Sequence, residues 1–265
     1  MFKFCSLYSG SSGNSLFVET PNTKILIDAG ESAKKIETAL NSIDVKVEDI
    51  DAILVTHEHS DHIKGLGTLS KKFQIPVFAN RETWEAMPEI ASKVQLEHQN
   101  TFSINEKFSV GEFSILPFSI PHDSANPCGF NIFYGDEKIS IATDIGHMDT
   151  KIIKNLEESS FILLESNYDP NILKCSRYPY ILKQRIAGPN GHLSNEAAGK
   201  TISYLMSSGL KNVLLGHLSK ESNFPELAYK TVVEELCNTS TFNENAIKIG
   251  VASRSTPSAV LDLGA

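Results

Sequence analysis

The sequence predicts an α/β protein in which two sheets lie between layers of helices, a four-layer αββα sandwich. Three observations predict it. Short apolar, β-rich runs alternate with segments whose apolar residues recur at helical spacing. Proline and glycine are scattered, and no low-complexity stretch or solenoid-length repeat divides the 265 residues into modules. A hydrophobic share of 41% with 21% charged residues suits a globular chain with a full core. The reading is one domain spanning 1–265.

Each element has its own signal. Phe2 to Leu7 and Ser15 to Glu19 read as hairpin strands around the turn Gly10-Ser11-Ser12-Gly13, and Lys24 to Ile27 as a third strand ending at Asp28-Ala29-Gly30. Ile36, Ala39 and Leu40 fall at helical spacing. Asp51 to Thr56 is a β-rich run that stops at His57, and Ile63, Leu66 and Leu69 predict a helix over Ile63 to Phe73. Val77 to Ala79 reads as a strand and Arg81 to Met87 as a short helix. From Phe102 to Ile120 apolar and polar residues alternate, as in hairpin strands. Phe130 to Phe133 and Lys138 to Ala142 read as a hairpin over Gly135-Asp136, Thr150 to Leu156 as a helix, and Phe161 to Leu164 as a buried strand.

Residues 167–190, rich in Pro, Tyr, Lys and Arg, break this rhythm and read as an insertion. Ser194 is a candidate N-cap for a helix from Asn195 to Met206, which Gly209 ends. Asn212 to Leu215 is a strand that delivers His217. Helix Pro225 to Cys237 and a strand from Ala246 to Ala252 complete the pattern.

The formal net charge of -8 argues against coating nucleic acid or a membrane by bulk electrostatics. A bound cation pair and a local basic patch still attract phosphate. Cys5, Cys128, Cys175 and Cys237 lie far apart, with no CxxC, and no apolar run approaches the ~20 residues of a membrane span. The amino terminus shows no signal-peptide core, so a reduced, cytoplasmic setting is expected.

The strongest signal is His57-Glu58-His59-Ser60-Asp61-His62, where a buried strand gives way to a helix. Three imidazoles and a carboxylate within six positions suit zinc, manganese or iron(II). His122, Asp144 and His217 each close a later strand; alone such a histidine is usually structural, but three strand-end donors downstream of HxHxDH reverse that expectation.

HxHxDH followed by His122, Asp144 and His217 resembles the metallo-β-lactamase superfamily over nearly the whole chain. The resemblance implies that His57, His59 and His122 bind one metal and Asp61, His62 and His217 the other, with Asp144 bridging. The lactamases themselves use cysteine where Asp144 stands, and the glyoxalase-type GHTxG motif is absent; Pro121-His122-Asp123 instead resembles the phosphodiesterase branch that includes RNase Z. A closer resemblance is to the YycJ/WalJ type, carried by SGSSGNS (Ser9 to Ser15), THEHSDH (Thr56 to His62), PHD (Pro121 to Asp123), ATD (Ala142 to Asp144), ESN (Glu165 to Asn167), GHLSN (Gly191 to Asn195) and GHLSKESN (Gly216 to Asn223). It implies 5′-to-3′ exonuclease action on DNA. RNA, a small phosphodiester, or a non-catalytic regulatory role are the competing expectations.

Two divalent ions with Asp61 and Asp144 leave a site charge of about +2, which falls to about +1 with a hydroxide between the ions and then complements a phosphodiester carrying one negative charge. Resemblance to RNase Z-like enzymes makes His192 the candidate proton donor for the departing oxygen. Glu165 is the carboxylate expected to orient His192 or a ligand histidine, and Asp61 joins the catalytic set. Ser11 and Asn14 lie in a turn that presents N–H groups to phosphate, with a plain hairpin turn as the equal alternative. Asp28 reads as a structural strand-end acid. In the insertion, Lys174, Arg177, Lys183 and Arg185 with Tyr178 and Tyr180 suit a nucleic-acid strand, Lys183 and Arg185 foremost, unless the segment is simply a solvated loop. Arg254 is a further phosphate contact. Oligomeric state is not legible.

Overall fold

The computed structural model describes residues 1–238 and 247–264. Its strands are β1 (Lys3–Tyr8), β2 (Ser15–Glu19), β3 (Lys24–Ile27), β4 (Ala52–Leu54), β5 (Val77–Ala79), β6 (Gln99–Thr101), β7 (Phe108–Val110), β8 (Phe113–Ser119), β9 (Cys128–Tyr134), β10 (Glu137–Ala142), β11 (Phe161–Glu165), β12 (Asn212–Gly216), β13 (Lys248–Val251) and β14 (Leu261–Asp262). The chain divides into two compact units: Met1–Ser119 with Ser124–Asp136 and Ser253–Ala265, and Ile120–Asp123 with Glu137–Ala252.

In the first unit a sheet runs β14-β1-β2-β3-β4-β5-β6. Pairing is antiparallel from β14 to β3 and parallel from β3 to β6. Strands β3 and β4 read as unbroken apolar runs because parallel strands are buried on both faces. Helix Ala33–Asn41 buries the spaced residues Ile36, Ala39 and Leu40 in a cluster with Phe17, Leu26, Ile53, Leu66 and Leu69. Strands β7, β8 and β9 form an antiparallel meander, and Phe102, just past β6, stacks on Phe108 of β7 and meets Phe130 of β9 edge-on.

The helix expected over Ile63 to Phe73 is two helices, Ser60–Ile63 and Leu66–Phe73. Gly65 interrupts them. Its N–H donates to the Ala29 carbonyl at 2.8 Å, and a Cβ there would sit 2.3 Å from the Glu31 carbonyl oxygen. A second close approach locks the histidine loop. A Cβ on Gly30 would fall 1.6 Å from the Asp61 carbonyl oxygen, so only glycine lets the strand end lie against that loop.

In the second unit β10, β11, β12 and β13 are parallel, in the order β13-β12-β11-β10. The register aligns Ala142 with Leu164 and Leu164 with Leu215, so the carboxyl ends of β10, β11 and β12 emerge side by side. That edge is where open parallel sheets place their ligands. The helices Asn195–Met206 and Pro225–Cys237 have the expected bounds, and Ser194 Oγ accepts from the Ala197 N–H. Residues 167–190 contain two short helices, Pro170–Cys175 and Tyr180–Ile186, around a small core of Tyr168, Leu173 and Ile186. The last expected strand is shorter, Lys248–Val251; its first residue, Ala246, lies outside the described residues. Among the described residues no helix is long and apolar enough to cross a membrane.

Candidate metal centre

The first unit presents His57, His59, Asp61 and His62 directly beyond β4. His57 and His62 are fully buried, with ring centroids 4.1 Å apart, and His59 meets His57 edge-on at 4.7 Å. Their tautomers are set from behind. The Asp28 carboxylate accepts the Thr56 N–H and hydroxyl at 2.8 Å each and His62 Nδ1–H at 2.7 Å. With its own proton given to Asp28, Thr56 Oγ1 accepts from His57 Nδ1 at 3.0 Å. Both imidazoles therefore offer Nε2, the arrangement that turns histidine into a ligand. Asp28, read from the sequence as a structural acid at a strand end, is buried there with a left-handed φ of 62°, bonded to His62 directly and to His57 through Thr56.

Asn14 is buried in the same place. Its Oδ1 accepts the Gly10 N–H at 2.9 Å, and its amide donates to His62 Nε2 at 3.1 Å and toward Asp61 Oδ2 at 3.4 Å. The turn, expected either to present N–H groups to phosphate or to be a plain hairpin turn, thus puts Asn14 against the predicted ligands Asp61 and His62, while Ser11 sits exposed at the tip.

The second unit gathers His122, Asp144, Glu165, His192 and His217 at the carboxyl edge of its sheet. Donor atoms of Asp144, Glu165, His192 and His217 lie within 4.8 Å of one another. Glu165, wholly buried, organises the group. Its Oε1 accepts Nδ1–H from His217 at 2.7 Å and from His192 at 2.9 Å. Its Oε2 accepts the backbone N–H groups of Ile145 at 2.8 Å and Leu193 at 2.9 Å. Four donors thus converge on the two Glu165 oxygens, an arrangement suited to a carboxylate that orients histidines. Burial pushes its carboxyl up, but the His192 charge and the bonds from His192 and His217 prevail and bring it down to about 2.

His122 gives Nδ1–H to the Gly191 carbonyl at 3.0 Å, leaving Nε2 3.6 Å from Asp144 Oδ1. Burial pulls the His122 imidazolium down, outweighing Asp144, so the neutral form that ligates metals is favoured. Asp144 and His217 both hold positive φ, at 61° and 55°, one or two residues past their strands. Each such turn costs a non-glycine residue about 1–2 kcal/mol. The ESN, GHLSN and SKESN motifs resolve into one buried clamp. Asn195 and Asn223 exchange amide bonds at 2.8 and 3.1 Å, and Ser166 Oγ donates to Asn195 at 2.6 Å. Asn167 meanwhile donates to the His217 carbonyl at 2.7 Å.

The remaining predicted contacts are placed differently from a free basic patch. Lys183 Nζ donates to the carbonyls of Lys174 and Ser176 at 2.7 Å each, closing the end of helix Pro170–Cys175. The Arg185 guanidinium pairs with both oxygens of Asp123, next to His122. Arg254 is half-buried just past β13.

The family model for the metallo-β-lactamase superfamily matches residues 8–217. The chain belongs to that superfamily, and its fold is the α/β sandwich of the class. Within it the chain is of the YycJ/WalJ type. It is 40% identical over 237 residues to exodeoxyribonuclease WalJ of Streptococcus pneumoniae, covering 89% of this chain and 88% of that protein. It is 36% identical to exodeoxyribonuclease YycJ of Bacillus anthracis, covering 88% of each. In structure it is similar to the metallo-β-lactamase fold protein YhfI from Bacillus subtilis, with a TM-score of 0.70 over 97% of this chain and 99% of that one; at 15% identity this is a likeness of fold alone.

Proposed function

We propose that the protein is a two-metal phosphodiester hydrolase that removes nucleotides from the 5′ end of DNA in a reducing, cytoplasmic compartment. His57, His59 and His122 would hold one divalent ion and Asp61, His62 and His217 the other, with Asp144 shared. The donor set fits: imidazoles whose Nδ1–H is committed to Thr56, Asp28, Gly191 or Glu165, together with carboxylate oxygens, suit zinc, manganese or iron(II). Bound, such ions stabilise charge on the phosphate and make water acidic enough to attack near neutral pH.

The chain's own residues do the rest. Glu165 carries the reading, because it directs Nε2 of both His217 and His192 forward, one to ligate and one to donate a proton. His192 gives that proton to the departing oxygen, and Glu165, bonded to its Nδ1, holds the ring in place. Asp28 and Thr56 hold the first histidines in register. Ser11 and Arg254 are proposed phosphate contacts, and Lys183 and Arg185 act by shaping the insertion. DNA as substrate is supported by the names of the two exodeoxyribonuclease relatives.

The test is a substrate panel with manganese: end-labelled duplex and single-stranded DNA, RNA, and bis-p-nitrophenyl phosphate. Release of mononucleotides from the 5′ end of DNA is the expected result. Turnover of the small ester alone would overturn the nuclease reading.

A further inference from the structure

A cleft of about 380 Å³ in the second unit has His192 in its wall. Its other walls include His147 and Met148 beyond β10, Tyr168, and Lys200 and Tyr204 on helix Asn195–Met206. Phosphodiester hydrolysis gives this space a use. A proton donor must lie on the leaving-group side of the phosphorus, because it protonates the oxygen that departs. Whatever is attached to that oxygen therefore occupies the space beside His192.

We propose, resting on the nuclease reading of the site, that this cleft receives the departing nucleotide, a deoxynucleoside 5′-monophosphate, and that Lys200 binds its 5′-phosphate. Size, lining and charge agree. The volume lies at the small-ligand end of the range for binding pockets, enough for one nucleotide and too little for a duplex. Tyr168, Tyr204 and Met148 offer flat and polarisable surface to a base. His147 gives Nδ1–H to the Pro189 carbonyl at 2.8 Å, so its ring is held at the cleft wall. Lys200 is exposed and supplies the positive charge in a chain of net charge -8. In the step, a water oxygen bonds to phosphorus as the P–O3′ bond breaks. The His192 proton goes to O3′, and the proton lost by the water restores His192 through solvent.

The experiment measures binding of thymidine 5′-monophosphate and of thymidine to the metal-free protein by calorimetry, and hydrolysis of 5′-phosphorylated and 5′-hydroxyl oligonucleotides with manganese. Lys200→Ala is expected to weaken the nucleotide about tenfold or more and leave thymidine unchanged, as loss of one charged contact implies. It should also abolish a preference of the wild type for 5′-phosphorylated ends. Met148→Ala should weaken both ligands. If the wild type degrades DNA but Lys200→Ala changes neither binding nor the end preference, the cleft assignment is wrong and the nuclease reading stands. If the nucleotide binds through Lys200 but no oligonucleotide is cut, the nuclease reading fails and takes the leaving-group role with it.

Discussion

Replacing Glu165 by glutamine keeps the shape of the side chain and reverses one face of its hydrogen bonding. The backbone N–H groups of Ile145 and Leu193, at 2.8 and 2.9 Å, can only donate, so the glutamine oxygen must stay with them. Its amide then faces Nδ1 of His217 and His192, which in the wild type are both N–H donors. Two charge-assisted bonds, each worth about 1.5–3 kcal/mol, are lost unless both imidazoles move their proton to Nε2. That move removes the His217 lone pair a metal needs. Metal affinity should fall about 10- to 100-fold, the usual cost of losing an orienting carboxylate. Activity at saturating manganese should fall further, because His192 loses the carboxylate that orients its ring.

The same substitution has a pH signature in the metal-free protein. Glu165 is held down to about 2 from a reference of 4.5, so its contribution to stability is full above the reference value and lost as pH falls toward 2. Wild type should therefore lose more stability between roughly pH 5 and 2 than Glu165→Gln. Competition with a chromophoric chelator measures the affinity, and thermal melts across pH measure the linkage. A variant that binds metal within twofold of wild type would refute the account of Glu165.

The other predictions concern single residues. Asp28→Asn should cost about 10- to 100-fold in metal affinity by the same tautomer argument at His62, and lower the melting temperature, since three buried donors lose a carboxylate; unchanged metal content would count against it. His192→Ala should keep its metals while kcat on DNA drops about 10²- to 10⁴-fold, with a smaller loss on bis-p-nitrophenyl phosphate, whose leaving group needs less protonation; an equal loss on both would remove the proton-donor role. At pH 8, a thiol reagent should modify the exposed Cys175 and Cys237 quickly. Cys5 and Cys128 should stay silent until the chain unfolds, because burial raises both thiols above their ordinary range. Rapid reaction of all four would show that the core opens.

Sequence and structure agree where the signal is local. The histidines of HxHxDH are neighbours along the chain, the Ser194 cap lies next to its helix, and the apolar runs of β3, β4 and β11 need no partner to be seen. Signals that depend on distant pairing were missed. β14 has two residues, too few to show a period, and is a strand only because Lys3 and Phe4 lie opposite Asp262 and Leu261. The break at Gly65 arises from carbonyls of Ala29 and Glu31.

By itself the sequence determined the class of fold, a candidate metal site rich in histidine and aspartate, and the bounds of helices Asn195–Met206 and Pro225–Cys237, because periodicity, caps and short-range spacing are properties of a few adjacent residues. Only the tertiary structure decided which partners those residues meet. Asp28 meets Thr56 and His62, Glu165, expected to orient one histidine, receives two together with two backbone N–H groups, and Lys183 and Arg185 are drawn to carbonyls and to Asp123. A hydrogen bond depends on where its partner lies in space, and a one-dimensional pattern does not record that.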